Sequence, residues 1–157
     1  MPEHALDPLE PASKERLRLW LRLLKASRSI EATLRENLRQ EFATTLPRFD
    51  VMAALSRYET GLKMSALSSV LKVSNGNVTG IVDRLAEDGF LVRVAVPSDR
   101  RAALVRLTRR GEEEFARQAQ AHETWIDEML DSFSASEAFD IGLRLETLET
   151  QITEKEM

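Results

Sequence analysis

Three side chains that can hydrogen-bond to nucleic acid, Asn75, Asn77 and Thr79, alternate along one short segment. Amide and hydroxyl groups of this kind read base edges and contact phosphate oxygens. Two glycines, Gly76 and Gly80, lie one helical turn apart in the same segment. Each costs roughly 1 kcal/mol relative to alanine inside a helix. A missing side chain lets a backbone approach a groove closely, so the segment predicts a DNA-recognition helix. A surface helix with two tolerated glycines is the alternative.

The element that must position these groups is a helix over residues 74–89. Its inner stripe has the i, i+3, i+4, i+7 spacing of a face that packs on a core, and it consists of Val78, Ile81, Val82 and Leu85. The opposite face carries Gly76, Asn77, Thr79, Gly80, Asp83, Arg84 and Glu87. Ser74 is suited to cap the first turn, and Gly89 is suited to the left-handed position that ends a helix.

The charge distribution supports a nucleic-acid partner although the chain as a whole carries a net charge of −4. Residues 63–110 contain nine Lys/Arg against four Asp/Glu, whereas residues 111–157 contain three against thirteen. Positive charge is therefore concentrated around the predicted recognition helix, as phosphate binding requires. The acidic C-terminal segment must serve another purpose.

The composition excludes several other classes of protein. No apolar run approaches the roughly 18 residues that a membrane span needs, and the first residues do not resemble a signal peptide, so we expect a cytoplasmic protein without membrane contact. The absence of cysteine excludes disulfides and thiolate metal sites. His4 and His122 lie far apart, and His122 falls in an apolar stripe typical of a core histidine. We predict neither a metal nor a cofactor.

The N-terminal part reads as a loose arm over residues 1–13, followed by a long helix in residues 14–45. That helix carries two apolar stripes, one of them close to the spacing of a coiled-coil seam. A second helix opens at Pro47, with Tyr58 among the apolar residues of its buried side, and Gly61 breaks it. A short third helix over residues 64–71 leads directly into the recognition segment, which is a helix-turn-helix order.

A β-hairpin follows the recognition helix. Residues 90–96 and 102–107 are rich in β-branched and apolar side chains, and a turn over 97–101 separates them. The turn carries Arg100 and Arg101. An arginine at a hairpin tip is suited to a narrow minor groove, although a solvated basic turn is the alternative.

Two further helices complete the chain. Thr108 is suited to cap a helix over residues 109–133, and Ser134 with Glu137 forms a capping box for the last helix. The last helix has a heptad-like apolar seam, which consists of Ala138, Ile141, Leu145, Leu148 and Ile152. Long helices with unpartnered apolar faces at both ends of the chain predict a homodimer.

This order of elements resembles the winged-helix regulators of the MarR family over roughly residues 14–155. The matching segments are 46–52, 78–85 with Gly89, 99–101 and 107–108. The fold expected is mainly α with a small β-wing. A winged helix-turn-helix DNA-binding domain in residues 46–110 would lie between a dimerisation helix in 14–45 and C-terminal dimerisation helices in 111–157.

The resemblance implies a role for each matched polar residue. Asn75, Asn77 and Thr79 would face bases or phosphates, and Arg84 and Arg93 would meet phosphate or brace the wing; Asp83 and Arg84 could instead pair on the surface. Arg101 would enter the minor groove while Asp99 holds the wing by a salt bridge. The complete predicted DNA-binding set is Ser74, Asn75, Gly76, Asn77, Thr79, Gly80, Arg84, Arg93, Asp99, Arg100 and Arg101. A dimer would present two such helices about 34–36 Å apart to a pseudo-palindromic operator in double-stranded DNA.

Members of this family commonly sense small anionic aromatics in a crevice beside the DNA-binding lobe. The resemblance places Trp20, Leu24, Arg48, Phe49 and Met52 there, although core packing alone accounts for the apolar ones. An arginine beside aromatic rings suits an aromatic carboxylate, and the Ser-Asn-Gly-Asn-Val-Thr-Gly segment resembles regulators of aromatic-acid breakdown that respond to the acid or its coenzyme A thioester.

The function expected is therefore a ligand-responsive transcriptional regulator, a repressor released by such an effector. No glycine-rich phosphate loop and no nucleophile with a base at recognisable spacing is present, so we expect no enzyme. A winged-helix module that binds protein rather than DNA is the alternative.

Overall fold

A computed structural model describes residues 11–72, 75–96 and 98–156, and it leaves the side chains of residues 75, 76, 100 and 101 undescribed. Its elements, in chain order, are α1 Ala12–Phe42, α2 Leu46–Ser56, β1 Leu62–Lys63, α3 Met64–Leu71, α4 Asn75–Glu87, β2 Leu91–Val96, β3 Asp99–Leu107, α5 Arg109–Met129 and α6 Ala135–Lys155. The prediction of a mainly helical chain with a small β-wing is confirmed.

Helix α1 is the long N-terminal helix that the apolar stripes predict. It ends at Phe42, the following Ala43 has a left-handed φ of 49°, and the helix buries only Leu34 and Leu38 of its own residues. Large apolar side chains in its N-terminal half stay more than half exposed, namely Leu17, Leu19, Trp20 and Leu21. The apolar residues in the N-terminal half of α1 are therefore largely uncovered within the described chain.

Helices α2, α3 and α4 surround the core of the DNA-binding lobe. Thr45 caps α2 by accepting from the Arg48 N–H at 3.2 Å, and Pro47 occupies the first turn. The core gathers the inner faces of these helices and of the sheet, chiefly Val51, Met52, Leu55, Leu67, Val78, Val82, Leu85, Leu91, Val105 and Leu107. The prediction that Tyr58 lies on the buried side of α2 was wrong. Helix α2 ends at Ser56, and Tyr58 lies beyond that end and is 41% exposed.

The hairpin is part of a three-stranded antiparallel sheet in the order β1-β3-β2. The third strand, β1, pairs Leu62 with Val105 and was not predicted. Gly61 makes this pairing possible, since its φ is +97° and a Cβ there would lie 2.6 Å from the Val105 carbonyl oxygen. Strand β1 thus anchors the wing to the chain just before α3.

The end of α4 and the start of α5 meet at the root of the wing. Gly89 adopts a left-handed φ of +81°, as expected for the residue after a helix. The Thr108 hydroxyl donates to the Gly89 carbonyl oxygen at 2.7 Å and accepts from the Gly111 N–H at 3.0 Å. Thr108 therefore caps α5, as predicted, and also holds the chain leaving α4.

The chain divides into two compact units at His122 and Glu123, within α5. Helix α5 ends at Met129, one turn before the predicted end, and the capping box of α6 is present, with the Glu137 N–H donating to Ser134 Oγ at 3.1 Å. The domain limits predicted between residues 45 and 46 and between residues 110 and 111 separate dimerisation from DNA binding. They do not correspond to these compact units, and they stay predictions.

Candidate nucleic-acid interface

The two faces of α4 are as the sequence predicts. Val78, Val82 and Leu85 are fully buried, and Ile81 is half-buried against the same core. The opposite face is exposed over the described side chains, which are Asn77, Thr79, Gly80, Asp83, Arg84 and Glu87. Since the apolar stripe fixes the rotation of the helix about its axis, these polar groups are presented together on the surface of the lobe.

Gly80 lies on this exposed face with open space around it. A Cβ built at Gly80 would meet no described heavy atom within 4 Å. Packing inside the described chain therefore gives no reason for a glycine there, although glycine weakens a helix interior. The remaining explanation is the one predicted from the sequence, that the backbone at Gly80 closely approaches the surface of a binding partner.

The beginning of α4 is only partly described. Ser74 lies outside the described residues, so its predicted cap is not addressed. Asn75 and Gly76 belong to the first turn of α4, but their side-chain surroundings lie outside the description. Helix α3 ends at Leu71, and the following Lys72 has a left-handed φ of 54°.

The wing differs from the prediction at its tip. Strand β3 begins at Asp99, so Arg100 and Arg101 are strand residues rather than turn residues. The register passes from Ala95 opposite Ala103 to Val96 opposite Asp99, which is an irregularity near the end of the hairpin. The predicted turn was too long, because three of its residues already belong to β3. The side chains of the two arginines lie outside the description, and their groove contact stays a prediction.

An ion pair connects the wing to α4. The Arg93 guanidinium on β2 donates to the Asp83 carboxylate. The surface pairing of Asp83 with Arg84 that the sequence left open is therefore replaced by a pairing with Arg93. Arg93 braces the wing in this geometry, while a phosphate contact by Arg84 or Arg93 stays a prediction.

An open cavity of about 740 Å³ adjoins the exposed face of α4. Its walls come from the start of α2, the end of α3 and α4, and are Thr45, Pro47, Arg48, Asp50, Val51, Leu71, Asn77, Gly80, Ile81 and Arg84. Three of these, Asn77, Gly80 and Arg84, also belong to the predicted DNA-binding set. Only Arg48 belongs to the predicted effector set.

Arg48 is held between this cavity and the end of α4. Its Nη2 donates to the carboxylate of Asp88, forty positions along the chain, and the side chain is only 20% exposed. Its Nε is buried without a hydrogen-bond partner among the described residues. The contact with Asp88 was not predicted, because no local sequence pattern indicates a pairing over such a separation.

The other predicted effector residues lie elsewhere. Phe49 is buried in a stack with Phe115 and His122, at ring-centroid distances of 5.6 and 4.7 Å, and Met52 is a core residue. Trp20 is 55% exposed on α1, and Leu24 lines a shallow groove along the same helix. The five residues therefore do not line one cavity within the described chain, and their joint role stays a prediction.

His122 is half-buried and packs against Phe49, which agrees with its predicted place in an apolar stripe. Its ring stacks on Phe49, and burial lowers the pKa of His122 below its ordinary value. Burial of the carboxyl group raises the pKa of Asp50 in the cavity wall, and the nearby Glu31 carboxylate raises it further. Within the described residues, no three His, Asp or Glu side chains are grouped as metal ligands. No described helix has the length and apolarity to cross a membrane.

Comparison with known proteins agrees with this geometry. The MarR family model matches residues 44–103, which run from the cap of α2 into β3. A MarR family transcriptional regulator from Silicibacter pomeroyi has a crystal structure with 31% identity and a TM-score of 0.75, covering 91% of this chain and 99% of that one. The transcriptional activatory protein BadR of Rhodopseudomonas palustris is 31% identical over 123 residues, which cover 76% of this chain and 70% of BadR. The chain belongs to the MarR family.

Membership of the MarR family makes this chain a winged-helix transcriptional regulator and not an enzyme. More distant MarR members share the fold. The Streptomyces coelicolor regulator Sco3205, whose structure is a complex with DNA, is 21% identical with a TM-score of 0.77, over 91% of this chain and 90% of that one.

Proposed function

We propose that this MarR-family regulator binds a pseudo-palindromic operator as a homodimer and represses transcription until a small aromatic carboxylate or its coenzyme A thioester releases it. The observation that carries the DNA-binding part is the exposed face of α4, where Asn77, Thr79 and Gly80 stand opposite three fully buried apolar residues. That face carries hydrogen-bonding groups next to Gly80, which has no side chain, and the neighbouring hairpin is rich in arginine.

The homodimer is supported by the apolar surface of the last helix. Helix α6 buries none of its residues in the described chain, although it carries six large apolar side chains that are 43–70% exposed, namely Phe139, Ile141, Leu143, Leu145, Leu148 and Ile152. An exposed apolar surface of this kind marks an interaction site. The heptad-like spacing of four of these residues is typical of helix pairing.

One observation opposes the proposed direction of regulation. The relative BadR is named an activatory protein, whereas the proposal is repression. A reporter gene behind the chain's own upstream DNA tests the direction, because a repressor lowers expression when the protein is supplied and the effector restores it.

The first experiment is a fluorescence-anisotropy titration of the full chain on its own upstream DNA at several salt concentrations. We expect tight binding that weakens steeply with salt, because phosphate contacts release counterions. A panel of aromatic carboxylates and their coenzyme A thioesters is then added to the complex. Absence of binding at low salt would overturn the DNA-binding proposal and favour a protein-binding module.

The dimer has its own test. Leu148→Glu places a charge in the apolar seam of α6, so we expect a monomer in sedimentation velocity and weak operator binding. Thr147→Glu adds the same charge outside that seam and should remain dimeric. A dimer that tolerates Leu148→Glu would show that this seam is not the interface.

A further inference from the structure

We propose that Arg48 is a positioning residue for DNA binding, which holds the C-terminal end of the recognition helix α4 against the start of α2 through Asp88. The inference rests on the proposed operator binding. It gives Arg48 a role different from the effector contact expected from the sequence. Arg48 itself contacts no nucleic acid in this arrangement and acts only through the orientation of α4.

The first argument is the position of each charge in its own helix. Arg48 lies in the first turn of α2, and Asp88 directly follows the last residue of α4. The N-terminus of a helix carries a partial positive charge and the C-terminus a partial negative charge. Both side chains are therefore unfavourable within their own helices. Their pairing across the lobe offsets both repulsions, so a contact between the two helices explains these residues better than local helix stability.

The second argument is that the guanidinium of Arg48 is firmly placed. The Thr45 hydroxyl accepts from the Arg48 N–H at 3.2 Å, which fixes the backbone from which the side chain extends. The Arg48 side chain is only 20% exposed, and its Nη2 donates to the carboxylate of Asp88. Its Nε is enclosed, without a hydrogen-bond partner among the described residues. An enclosed charge that loses its counter-ion is costly, so Asp88 is held in place.

The third argument is the backbone to which Asp88 belongs. The Asp88 N–H donates to the Arg84 carbonyl oxygen at 3.1 Å, and the Phe90 N–H donates to the Leu85 carbonyl oxygen at 2.9 Å. Asp88 is therefore part of the hydrogen-bonded turn that ends α4. A force on its carboxylate acts directly on the last turn of the recognition helix.

The consequence for DNA binding is geometric. The Asp83–Arg93 pair holds α4 to the wing, and the Arg48–Asp88 pair holds its C-terminal end to the start of α2. A recognition helix must lie at a defined angle in the major groove. Hydrogen bonds to base edges weaken steeply with misalignment, so a small tilt of α4 would reduce operator affinity without removing any group that contacts DNA.

The first measurement is operator affinity by fluorescence anisotropy, well below the melting temperature of each variant. Arg48→Gln and Asp88→Asn should each weaken binding about fivefold or more, and the double variant should be no weaker than the weaker of the two, since both remove one interaction. The dependence of affinity on salt should stay unchanged, because no phosphate contact is lost. Arg57→Gln removes the same charge from the exposed end of α2 and should leave the affinity unchanged.

A charge exchange tests the pair itself. Arg48→Asp combined with Asp88→Arg keeps the ion pair and places each charge at the helix end that favours it. This double variant should bind the operator within about twofold of the natural chain, whereas Arg48→Asp alone should bind at least about fivefold more weakly. Lost packing at position 48 would not be restored by a change at position 88.

Amide hydrogen exchange of the full chain without DNA provides an independent readout. In Arg48→Gln, the Phe90 amide should exchange about tenfold faster, because the turn that ends α4 opens locally more often. The Val82 amide, in the middle of α4, should change little. A general loss of stability would accelerate both amides instead.

Three results would overturn the inference. The first is unchanged operator affinity for both Arg48→Gln and Asp88→Asn. The second is tighter binding by Asp88→Asn together with a salt dependence reduced by about one contact in Arg48→Gln, which would identify a phosphate contact. The third is unchanged exchange at Phe90. If the natural chain does not bind the operator, the proposed function fails, and the exchange measurement still decides whether Arg48 holds the end of α4.

Discussion

Arg93 on β2 and Asp83 on α4 form an ion pair that joins the wing to the recognition helix. Their side chains are 40% and 50% exposed, so the pair contributes at most about 1 kcal/mol to folding stability. Its consequence lies in geometry, because it fixes the hairpin relative to the face of α4. Both elements must be presented together for one protein to contact adjacent grooves.

The first prediction separates bracing from phosphate contact by Arg93. If Arg93 braces the wing, Asp83→Asn and Arg93→Gln should each weaken operator binding several-fold, and the double variant should be no weaker than either, since both remove one interaction. If Arg93 instead contacts phosphate, Asp83→Asn should strengthen binding by freeing the guanidinium and removing a negative charge. Anisotropy titrations of the four proteins distinguish the two results.

The second prediction concerns Gly80, where an added Cβ meets open space. Gly80→Leu should fold, with a stability equal to or above that of the natural chain, because glycine costs roughly 1 kcal/mol in a helix interior. It should no longer bind the operator, since the new side chain fills the surface that approaches DNA. Thermal melting and anisotropy measure the two effects separately.

Gly142 on α6 offers a matched control for Gly80. A Cβ there also meets open space in the described chain, so Gly142→Ala should raise stability by a similar mechanism while leaving operator affinity unchanged. Normal operator binding by Gly80→Leu would show that close backbone approach is the wrong account of Gly80.

The parts of this interface that could be predicted depend on local spacing. Val78, Val82 and Leu85 follow a helical period, and this period alone fixes which side chains of α4 are exposed. Gly89 and Thr108 occupy positions that their chemistry favours at a helix end and a helix start. Such features need no information from elsewhere in the chain.

The parts that could not be predicted depend on distant contacts. Strand β1 has only two residues, so the sequence shows no alternating pattern there. It forms because Leu62 pairs with Val105, more than forty positions along the chain. The Arg48–Asp88 pair also spans forty positions. The same limit explains why Arg48 was grouped with Phe49 and Met52, since neighbours on one helix face different parts of the fold.

The third prediction concerns Arg101, which belongs to β3 rather than to the predicted turn. Arg101→Ala should weaken operator binding at least about tenfold if its side chain enters the minor groove, where negative potential is concentrated. Melting temperature should be nearly unchanged. Arg106→Ala is the control, because it removes the same charge from an exposed position nearer the root of β3. Equal operator affinity for the Arg101 variant and the natural chain would show that Arg101 does not contact the operator.

The last prediction uses the raised pKa of Asp50, caused first by burial and then by the Glu31 carboxylate, with Arg35 opposing. A folded state with a raised carboxyl pKa holds its proton more tightly than the unfolded state. The stabilising contribution is therefore present below the ordinary Asp pKa and is lost as the pH rises through the raised value. At neutral pH the charged carboxylate of Asp50 therefore contributes unfavourably to folding.

Asp50→Asn should therefore raise the melting temperature at pH 7 by a small amount, at most about 2 °C for a chain of this size, because the carboxylate is exposed to solvent. The gain should shrink as the pH falls through the raised pKa of Asp50, below which Asp50 itself is protonated. Asp131→Asn, at an exposed position after α5, should show neither effect. Melting curves at matched protein concentration from pH 4 to 7 provide the measurement, and a difference for Asp50→Asn that does not vary with pH would contradict the assigned direction of the pKa shift.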